Sequence, residues 1–299
     1  MELYFLLKNI VNVRMTCYLG EKGQGRGNMP HIFSYRDSEL YSHHTIDIAP
    51  EPENFSMHAH EMMEIYYFKS GRGSYLVEGS SYALEPGDIM IMRAAEAHRL
   101  TISPDEPYER IAIHFAPELI AGFDPELRLL RPFMDRPLGQ QNHYSARDKR
   151  CAHLQTVFMD FGFEGIGEVR LNLIARLLLF LTALNGIFES TEDYQNSAAD
   201  LPGQIVRYVN RHLFEPISLQ SVADSFYLSR SQISRIFRQA TGSSFWDYIS
   251  IKRMLAARAM IQRGEKASTA ALTCGFTDYS AFYRAYRNYF GHSPKSDSQ

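Results

Sequence analysis

The sequence predicts an α+β protein with an N-terminal β-barrel over residues 31–116, a helical segment over 117–189, and an all-α domain over 204–299. Three observations lead to this fold class. Short apolar runs alternate with Gly- and Pro-bearing turns in the first part, the apolar period becomes helical in the second, and the net charge changes sign before the third. The chain has 299 residues, of which 45% are hydrophobic, so it is long enough for two globular domains and is not a disordered or fibrous chain.

The first thirty residues follow none of these patterns. Residues 20–28 contain four glycines among polar side chains, and the strand pattern begins only after Met29. We therefore expect residues 1–30 to be an extension and Met29 to be the biological start. The N-terminus also does not follow the signal-peptide pattern, in which basic residues precede an uninterrupted apolar core.

The cysteines and the apolar runs indicate a cytoplasmic protein. The three cysteines lie far apart and form no CxxC pair, which argues against a zinc ribbon or a disulfide framework. The most apolar run, at 171–184, contains Arg176 and is shorter than the ~20 residues that a bilayer requires. We expect no membrane contact.

The first part is predicted to consist of short strands. Apolar runs at 63–68, 74–77 and 89–92 are separated by turns at 70–73 and 85–88. Turns at intervals of about 8–12 residues are typical of a β-barrel or a β-sandwich.

Polar residues within this predicted barrel form a candidate site. His58 and His60 are two positions apart, so on a strand both project to one face, and Glu64 has the same parity. With His98 and the Pro-Gly-Asp sequence at 86–88, these residues resemble the two signature motifs of cupin β-barrels. Three imidazoles and one carboxylate are suited to a divalent metal such as Zn, Fe, Mn or Ni.

The alternative is that the barrel is an effector pocket without a metal. Polar groups beside aromatic rings suit a sugar or another small polar metabolite. The candidate effector-binding residues are His58, His60, Glu64, Tyr66, Tyr75 and His98.

The helical segment has a long aliphatic face. Its clearest positions are Leu171, Ile174, Leu178 and Leu181. Such a face either packs on the barrel or pairs with a second copy of the chain. A polar stretch at 190–203 then has the composition of a linker.

Charge separates the C-terminal part from the rest. Residues 201–299 contain 13 Lys and Arg against 6 Asp and Glu, whereas the remaining residues contain 18 against 28. A basic module on an acidic body indicates a nucleic-acid-binding domain joined to a sensing or assembly domain.

The first half of this module has the pattern of a helix-turn-helix. Residues 218–225 form a two-turn amphipathic helix, and Ser229 is a suitable N-cap for a second helix that Gly242 ends. The second helix has buried positions Ile233, Ile236, Phe237 and Ala240, and exposed positions Arg230, Ser231, Gln232, Ser234, Arg235 and Arg238. Side chains of these exposed types donate to base edges and phosphates in a major groove.

The second half repeats the arrangement. A helix at 267–273 and a turn at 274–276 precede a helix that Thr277 or Asp278 caps. That helix has buried positions Phe282, Ala285, Tyr286 and Tyr289, and exposed positions Tyr279, Ser280, Tyr283, Arg284 and Arg287. Residues 243–263 form one helix of about 20 residues between the halves, or about 30 Å, which suits two major grooves about 34 Å apart.

Residues 204–294 resemble the DNA-binding domain of the arabinose-regulator (AraC/XylS) family of bacterial transcription regulators. The matching residues are Leu219, Val222, Ala223, Leu228, Ser229, Ile236, Phe237, Thr241, Gly242, Phe245, Tyr248, Arg253, Ala257, Gly275, Phe276, Asp278, Phe282, Tyr289, Phe290, Gly291, Ser293 and Pro294. The resemblance implies that Ser231, Ser234, Arg235, Tyr279, Ser280, Tyr283 and Arg284 contact bases, and that Arg230, Arg238 and Arg287 contact phosphates. The chain departs from the family at Ala267 and Ala270, where large aliphatic residues are usual, so we expect a less tightly packed second unit.

We therefore predict a ligand-responsive, sequence-specific transcription regulator, an activator, that binds double-stranded DNA as a homodimer and contacts RNA polymerase. The chain contains no phosphate-binding loop, nucleophile elbow or HExxH motif, so we do not expect an enzyme. Two alternatives stay open: a metal-dependent cupin enzyme fused to a DNA-binding domain, and a constitutive DNA-binding protein whose barrel binds no effector.

Overall fold

The computed structural model describes residues 31–51, 55–158, 168–190 and 201–298. The predicted extension at 1–30, with Met29 as the start, lies outside the described residues, and so does most of the predicted linker at 190–203. Every structural statement below concerns the described residues.

The first part of the chain is built from two antiparallel sheets. The strands are β1 (His31–Arg36), β2 (Leu40–Asp47), β3 (Met63–Ser70), β4 (Gly73–Val77), β5 (Ser80–Leu84), β6 (Ile89–Met92), β7 (His98–Ile102), β8 (Tyr108–Phe115) and β9 (His143–Tyr144). Six of them form a sheet in the order β1-β2-β8-β3-β6-β9, and the other three form a sheet in the order β5-β4-β7. The α+β prediction is confirmed, with a β domain at the N-terminal end and a helical domain at the C-terminal end.

Side chains alternate between the two faces of the larger sheet. On β3, Tyr66 and Phe68 join residues of the smaller sheet, such as Tyr75, in one buried cluster. Their neighbours Ile65 and Tyr67 belong to a second buried cluster that also contains helical residues. The sheets therefore enclose an interior on one side, while the other face of the larger sheet is covered by helices.

The segment between the barrel and the C-terminal domain is not entirely helical. Its helices are α1 (Pro117–Ala121), α2 (Arg131–Met134), α3 (Ala152–Thr156) and α4 (Val169–Glu189). Between α2 and α3, the chain returns to the sheet as β9, whose His143 and Tyr144 pair with Met90 and Ile89 of β6. The carboxylate of Asp88 holds this return, because it lies 2.8 Å from His143 Nε2 and accepts the Ala146 N–H at 2.7 Å. A two-residue strand has no periodic signal, so the sequence did not predict it.

Helix α4 packs against the larger sheet with a face that differs from the predicted one. Ile174 and Leu181 are buried as expected, but Leu171 is 63% exposed. The buried stripe follows helical spacing through Leu173, Leu177 and other aliphatic residues, which places Leu171 beyond its edge. By length and composition this 21-residue helix would also suit a membrane span. Its six buried side chains are those of a core helix in a globular domain.

The C-terminal domain contains six helices within the described residues. They are α5 (Leu201–Arg211), α6 (Leu219–Phe226), α7 (Arg230–Thr241), α8 (Phe245–Gln262), α9 (Ala267–Thr273) and α10 (Tyr279–Phe290). Residues 201–203, expected in the linker, lie instead in the first turn of α5. Proline is tolerated in a first helical turn, and the barrel approaches α5 closely at Gly79, where an added Cβ would lie 3.1 Å from Val206.

Candidate functional site

The first unit consists of the helix-turn-helix α6 and α7 together with α5 and the N-terminal half of α8, which share one buried cluster. Ser218 caps α6 and Ser229 caps α7, each through a capping box. Helix α7 ends at Gly242, whose φ of +71° is the left-handed conformation that glycine adopts without strain. The capped start of α7 therefore presents its first turn to solvent in one defined orientation.

The side chains predicted to contact DNA lie together on α7. All six are exposed: Arg230, Ser231, Gln232, Ser234, Arg235 and Arg238. Arg230, Ser231 and Ser234 line an open groove together with Gln220 of α6 and Trp246 of α8. Trp246 is the single tryptophan of the chain and is 53% exposed. No sequence signal marks Trp246 as a contact residue, although its position at the start of α8 places it beside α6 and α7.

The second unit, α9 and α10, repeats this geometry. Asp278 caps α10 by accepting the N–H groups of Ser280 and Ala281, and Gly291 ends the helix with a φ of +79°. The predicted contact residues Tyr279, Ser280, Tyr283, Arg284 and Arg287 are all exposed. Tyr289 differs from its predicted position, since it is 37% exposed and its hydroxyl donates to the carbonyl of Ala59 in the barrel at 2.9 Å.

Helix α8 connects the two units. Its 18 residues correspond to about 27 Å. Arg253 at its centre joins both units, because it donates to the Leu213 and Glu215 carbonyls beside the first unit at 2.7 and 2.8 Å and to the Gly275 carbonyl in the second at 2.6 Å. Three charge-assisted hydrogen bonds from one side chain restrain the spacing between α7 and α10. The family pattern included Arg253, but its role became evident only from these contacts.

Four histidines and one carboxylate meet at one end of the barrel interior. His60 Nε2 and His98 Nε2 lie 2.9 and 3.1 Å from the same oxygen of Glu64. His58 is exposed and pairs with His98 through two backbone hydrogen bonds of 3.0 and 2.9 Å. The fourth is His114 of β8, which lies opposite Glu64 in the sheet. Only Glu64 lies on β3, so the two histidines of the first motif belong to the loop before it rather than to the same strand.

These side chains could hold a metal ion in two overlapping sets. His58, His60 and His98 form one, and His60, Glu64 and His114 the other, with ligand atoms within 4.8 Å of one another in each. Imidazole nitrogens with one carboxylate oxygen are a donor set that suits zinc and other divalent transition metals.

Electrostatics favour an ionised Glu64 in this cluster. Burial alone would raise its pKa, but His114, His60 and His98 outweigh burial and hold the pKa well below its usual value. Burial likewise opposes the charged form of His98, and Glu64 outweighs it, so the pKa of His98 is raised. For His114, burial dominates and lowers the pKa to about 4, which leaves this imidazole neutral and able to coordinate.

The aromatic residues of the predicted pocket lie deeper in the same interior. Tyr66 and Tyr75 are both buried, with ring centroids 5.0 Å apart, and the Tyr75 ring lies 5.8 Å from that of His98. The structure thus brings all six candidate effector-binding residues into one region. His114 was not among the predicted residues, although it is a polar residue in the alternating apolar pattern of β8.

The barrel and the first helix-turn-helix unit share a buried polar contact. Glu78, in the turn between β4 and β5, is 3% exposed. Its carboxylate accepts the Ala97 N–H at 2.7 Å, the Lys252 ammonium at 2.6 Å, the Asn210 side chain at 3.2 Å and the Tyr248 hydroxyl. The Glu78 carboxylate and the Lys252 ammonium therefore compensate each other's charge, although both are buried.

The loops that carry the histidines also contact the C-terminal domain. Ala59 accepts the Tyr289 hydroxyl, and Ala95, three residues before His98, accepts the Lys252 ammonium at 2.7 Å. Ala59 and Ala97 both belong to the buried apolar cluster of the first unit. A shift of either loop would therefore change contacts with helices α8 and α10 of the C-terminal domain.

Comparison with known proteins assigns both parts of the chain. The AraC-like ligand binding domain matches residues 48–156, and a helix-turn-helix domain matches residues 222–298. The transcriptional activator RhaS of Escherichia fergusonii is 23% identical over 268 residues, covering 85% of this chain and 92% of that protein. RhaS of Shigella sonnei is 26% identical over 265 residues, covering 84% of this chain and 92% of that protein.

Solved structures to which the chain is similar include ToxT of Vibrio cholerae and the DNA-binding domain of AdpA in complex with a target DNA. ToxT is 14% identical with a TM-score of 0.37, covering 87% of this chain and 97% of that chain. The AdpA domain is 27% identical with a TM-score of 0.31, covering 33% of this chain and 89% of that chain.

Proposed function

The chain belongs to the AraC family of transcription regulators, and on that premise we propose that it is a transcription activator that binds promoter DNA in response to a small polar effector. The sign of regulation follows the relatives, which are named transcriptional activators. The cytoplasm is the proposed location, and contact with RNA polymerase the proposed means of activation.

The pair of capped, exposed helices α7 and α10 is the observation that carries this proposal. Both helices have 12 residues, a polar N-cap and a glycine in the left-handed conformation at the end. Their exposed faces carry Arg, Ser, Gln and Tyr side chains, and α8 with Arg253 restrains their separation. This arrangement supports the docking of one chain in two consecutive major grooves.

The contact between the domains supports ligand control. An effector shifts an equilibrium only if it binds one arrangement of the protein better than another. The proposed effector residue His60 lies in one loop, and His98 begins β7 directly after another. Carbonyls and apolar side chains of both loops touch α8 and α10. An effector that repositions these loops therefore changes the contacts that hold the DNA-binding helices.

A homodimer is the proposed assembly. On α4, Leu171 and Leu179 are 63% and 67% exposed, and Ala175 lies between them on the same face. This exposed apolar stripe supports pairing with a second copy, and sedimentation of the full chain tests it: a monomer at all micromolar concentrations contradicts the dimer.

The test of DNA recognition is a titration of the full chain with its own promoter fragment and with random duplex, at several salt concentrations. We expect Arg235→Ala to weaken promoter binding by about 1–3 kcal/mol and to affect random duplex much less, because a base contact carries sequence information. Arg263→Ala is the matched control, since Arg263 is an exposed arginine just after α8. Equal losses on both duplexes would make Arg235 a phosphate contact, and no promoter preference in the parent chain would refute the proposal.

A metal-dependent enzyme fused to a DNA-binding domain is the alternative, favoured by the two candidate ligand sets around His60. Metal analysis of the purified chain separates the two functions, with His60→Ala as the control. Stoichiometric metal that His60→Ala abolishes would support a metal centre. Substoichiometric metal together with unchanged promoter binding would support an effector pocket.

A further inference from the structure

Arg110, a cation of the barrel interior, has no carboxylate partner among the residues that the structure describes. Arg110 of β8 lies between Tyr108 and Ala112, whose side chains both belong to the interior cluster. Across the sheet its neighbours are Thr45 on β2 and Phe68 on β3. One of its N–H groups donates to the Tyr108 hydroxyl at 3.0 Å. Among the described residues, no Asp or Glu forms an ion pair with it.

The tyrosines near Arg110 do not neutralise its charge. Tyr66 and Tyr108 lie with their hydroxyl oxygens 2.5 Å apart, and Tyr75 packs on Tyr66. Burial raises the pKa of all three phenols, so they stay protonated at neutral pH. These hydroxyls are therefore hydrogen-bonding groups beside a positive charge that nothing in the described chain balances.

The surroundings of Arg110 strengthen its attraction for an anion. The rings of Phe55 and Tyr108 lie 5.8 and 5.3 Å from the guanidinium carbon, so aromatic faces replace water on two sides. The side chain is only half-buried, so a ligand can reach it. A guanidinium binds a carboxylate through two parallel hydrogen bonds, and this pairing is stronger away from bulk water.

The opposite end of the same interior offers a different chemistry. His114 lies four residues beyond Arg110 on the same face of β8, about 13 Å along the strand. Glu64, opposite His114, accepts hydrogen bonds, and the neighbouring imidazoles both donate and accept them. Between the two ends lie the small side chain of Ala112 on β8 and, opposite it in the sheet, the phenol of Tyr66 on β3. An elongated ligand with one anionic end and several hydroxyl groups fits this distribution of polar groups.

We propose that the effector is a polyhydroxy carboxylic acid of sugar size, with its carboxylate on Arg110 and its hydroxyl groups on Glu64 and the histidines. The inference rests on the proposed function and deepens it, because it replaces a neutral sugar by a sugar acid. Arg110 is the residue that distinguishes the acid from its neutral parent.

The experiment compares acids with a neutral sugar on the full chain. Gluconate, glucuronate and galacturonate are tested beside glucose at millimolar concentration, by thermal shift and by titration calorimetry. We expect at least one acid to raise the melting temperature and to bind about 10- to 100-fold more tightly than glucose. The proposal is overturned if none of the three acids shifts the transition, or if glucose binds as tightly as the best acid.

Variants at Arg110 assign the effect to this side chain. Arg110→Gln should weaken binding of the acid about 10- to 100-fold and leave glucose unchanged, whereas Arg110→Lys should retain part of the affinity. Arg72→Gln is the control, because Arg72 is exposed and pairs with Asp105 outside the interior. Unchanged promoter affinity without ligand shows that Arg110→Gln is folded. Equal acid affinity in Arg110→Gln and the parent chain would overturn the assignment.

Promoter binding distinguishes failure of this inference from failure of the proposed function. If the parent chain prefers its promoter and only the neutral sugar alters that preference, the proposed function as a regulator is supported and the proposal of a sugar-acid effector is refuted. If the chain shows no promoter preference with or without any of the four compounds, the proposed function itself fails.

Discussion

The two helix-turn-helix units have one plan but different surroundings. Helices α7 and α10 have equal length and equivalent caps. The buried cluster of the first unit includes Ala59 and Ala97 from the barrel, as well as Phe237 and Tyr248 of its own helices. The cluster of the second unit draws only on α8, α9, α10 and nearby residues, with Phe282 at its centre.

The composition of the two clusters differs as well. The second cluster contains Ala257, Ala270, Ala271 and Cys274, and its volume comes from aromatic rings, with Phe282 and Tyr286 centred 5.3 Å apart. The departure from the family at Ala270 thus coincides with aromatic packing in place of aliphatic packing. The first unit therefore shares its core with the barrel, whereas the second depends on packed aromatic rings of its own.

The largest expected effect comes from truncating the central ring of each cluster. Both Phe237 and Phe282 are fully buried. Phe237→Ala should lower the free energy of unfolding by about 4 kcal/mol and Phe282→Ala by about 3 kcal/mol, because the small neighbours in the second unit allow partial collapse of the cavity. Urea unfolding followed by circular dichroism measures both.

Tyr283→Ala is the control for this pair, since Tyr283 is an exposed aromatic residue on the helix of Phe282. A change of about 0.5 kcal/mol or less is expected there. A larger loss for Phe282→Ala than for Phe237→Ala would reverse the comparison.

A smaller effect is expected at the contact between the barrel and the first unit. Lys252→Met leaves the buried Glu78 carboxylate without its cation, although Ala97, Tyr248 and Asn210 still donate to it. We expect the free energy of unfolding to fall by about 2–3 kcal/mol. This is below the usual range for breaking a buried ion pair, because these hydrogen bonds to Glu78 remain. Unfolding followed by Trp246 fluorescence reports on the first unit.

The matched control is Lys266→Met, because Lys266 is exposed just before α9. The double variant Glu78→Gln with Lys252→Met removes both charges and should recover part of the loss. If Lys252→Met lowers the free energy of unfolding no more than Lys266→Met does, the stability of the first unit does not depend on its contact with the barrel.

The smallest effect concerns the N-caps. Ser229→Ala and Asp278→Ala should each cost about 1 kcal/mol, because each removes the acceptor of the free N–H groups in the first turn of its helix. Asp278 accepts two N–H groups where Ser229 accepts one, so its loss should be the larger of the two. Ser229→Asp should restore the first cap, and failure to do so would indicate that the serine has another role there.

The helical half of the fold was open to prediction because its signals are local. The caps Ser229 and Asp278, the terminal Gly242 and the spacing of apolar residues each act within one or two turns. The short strands of the barrel were predicted from their apolar runs, but β9 was not. Its two residues pair with β6 across about fifty intervening residues, so no local pattern marks them as a strand. Leu171 was grouped on one face with Ile174 and Leu181 but lies outside the buried stripe, because several faces of α4 are apolar.

The candidate barrel site was predicted in part for a similar reason. The motif spacing located His60, Glu64 and His98, but His114 and Arg110 enter the interior through the register of β8 with β3. Register depends on which strands pair, and nothing close in sequence specifies it for β8.

The sequence by itself determined the order of the two domains, the doubled helix-turn-helix and the exposed residues of α7 and α10, because helix periodicity and capping are short-range properties. Only the tertiary structure decided that Glu78 and Lys252 join the barrel to the first unit, and that Arg110 and His114 share one interior with Glu64. Such contacts bring together residues far apart in the chain, and their energy comes from burial and pairing that exist only once the sheets and helices have packed.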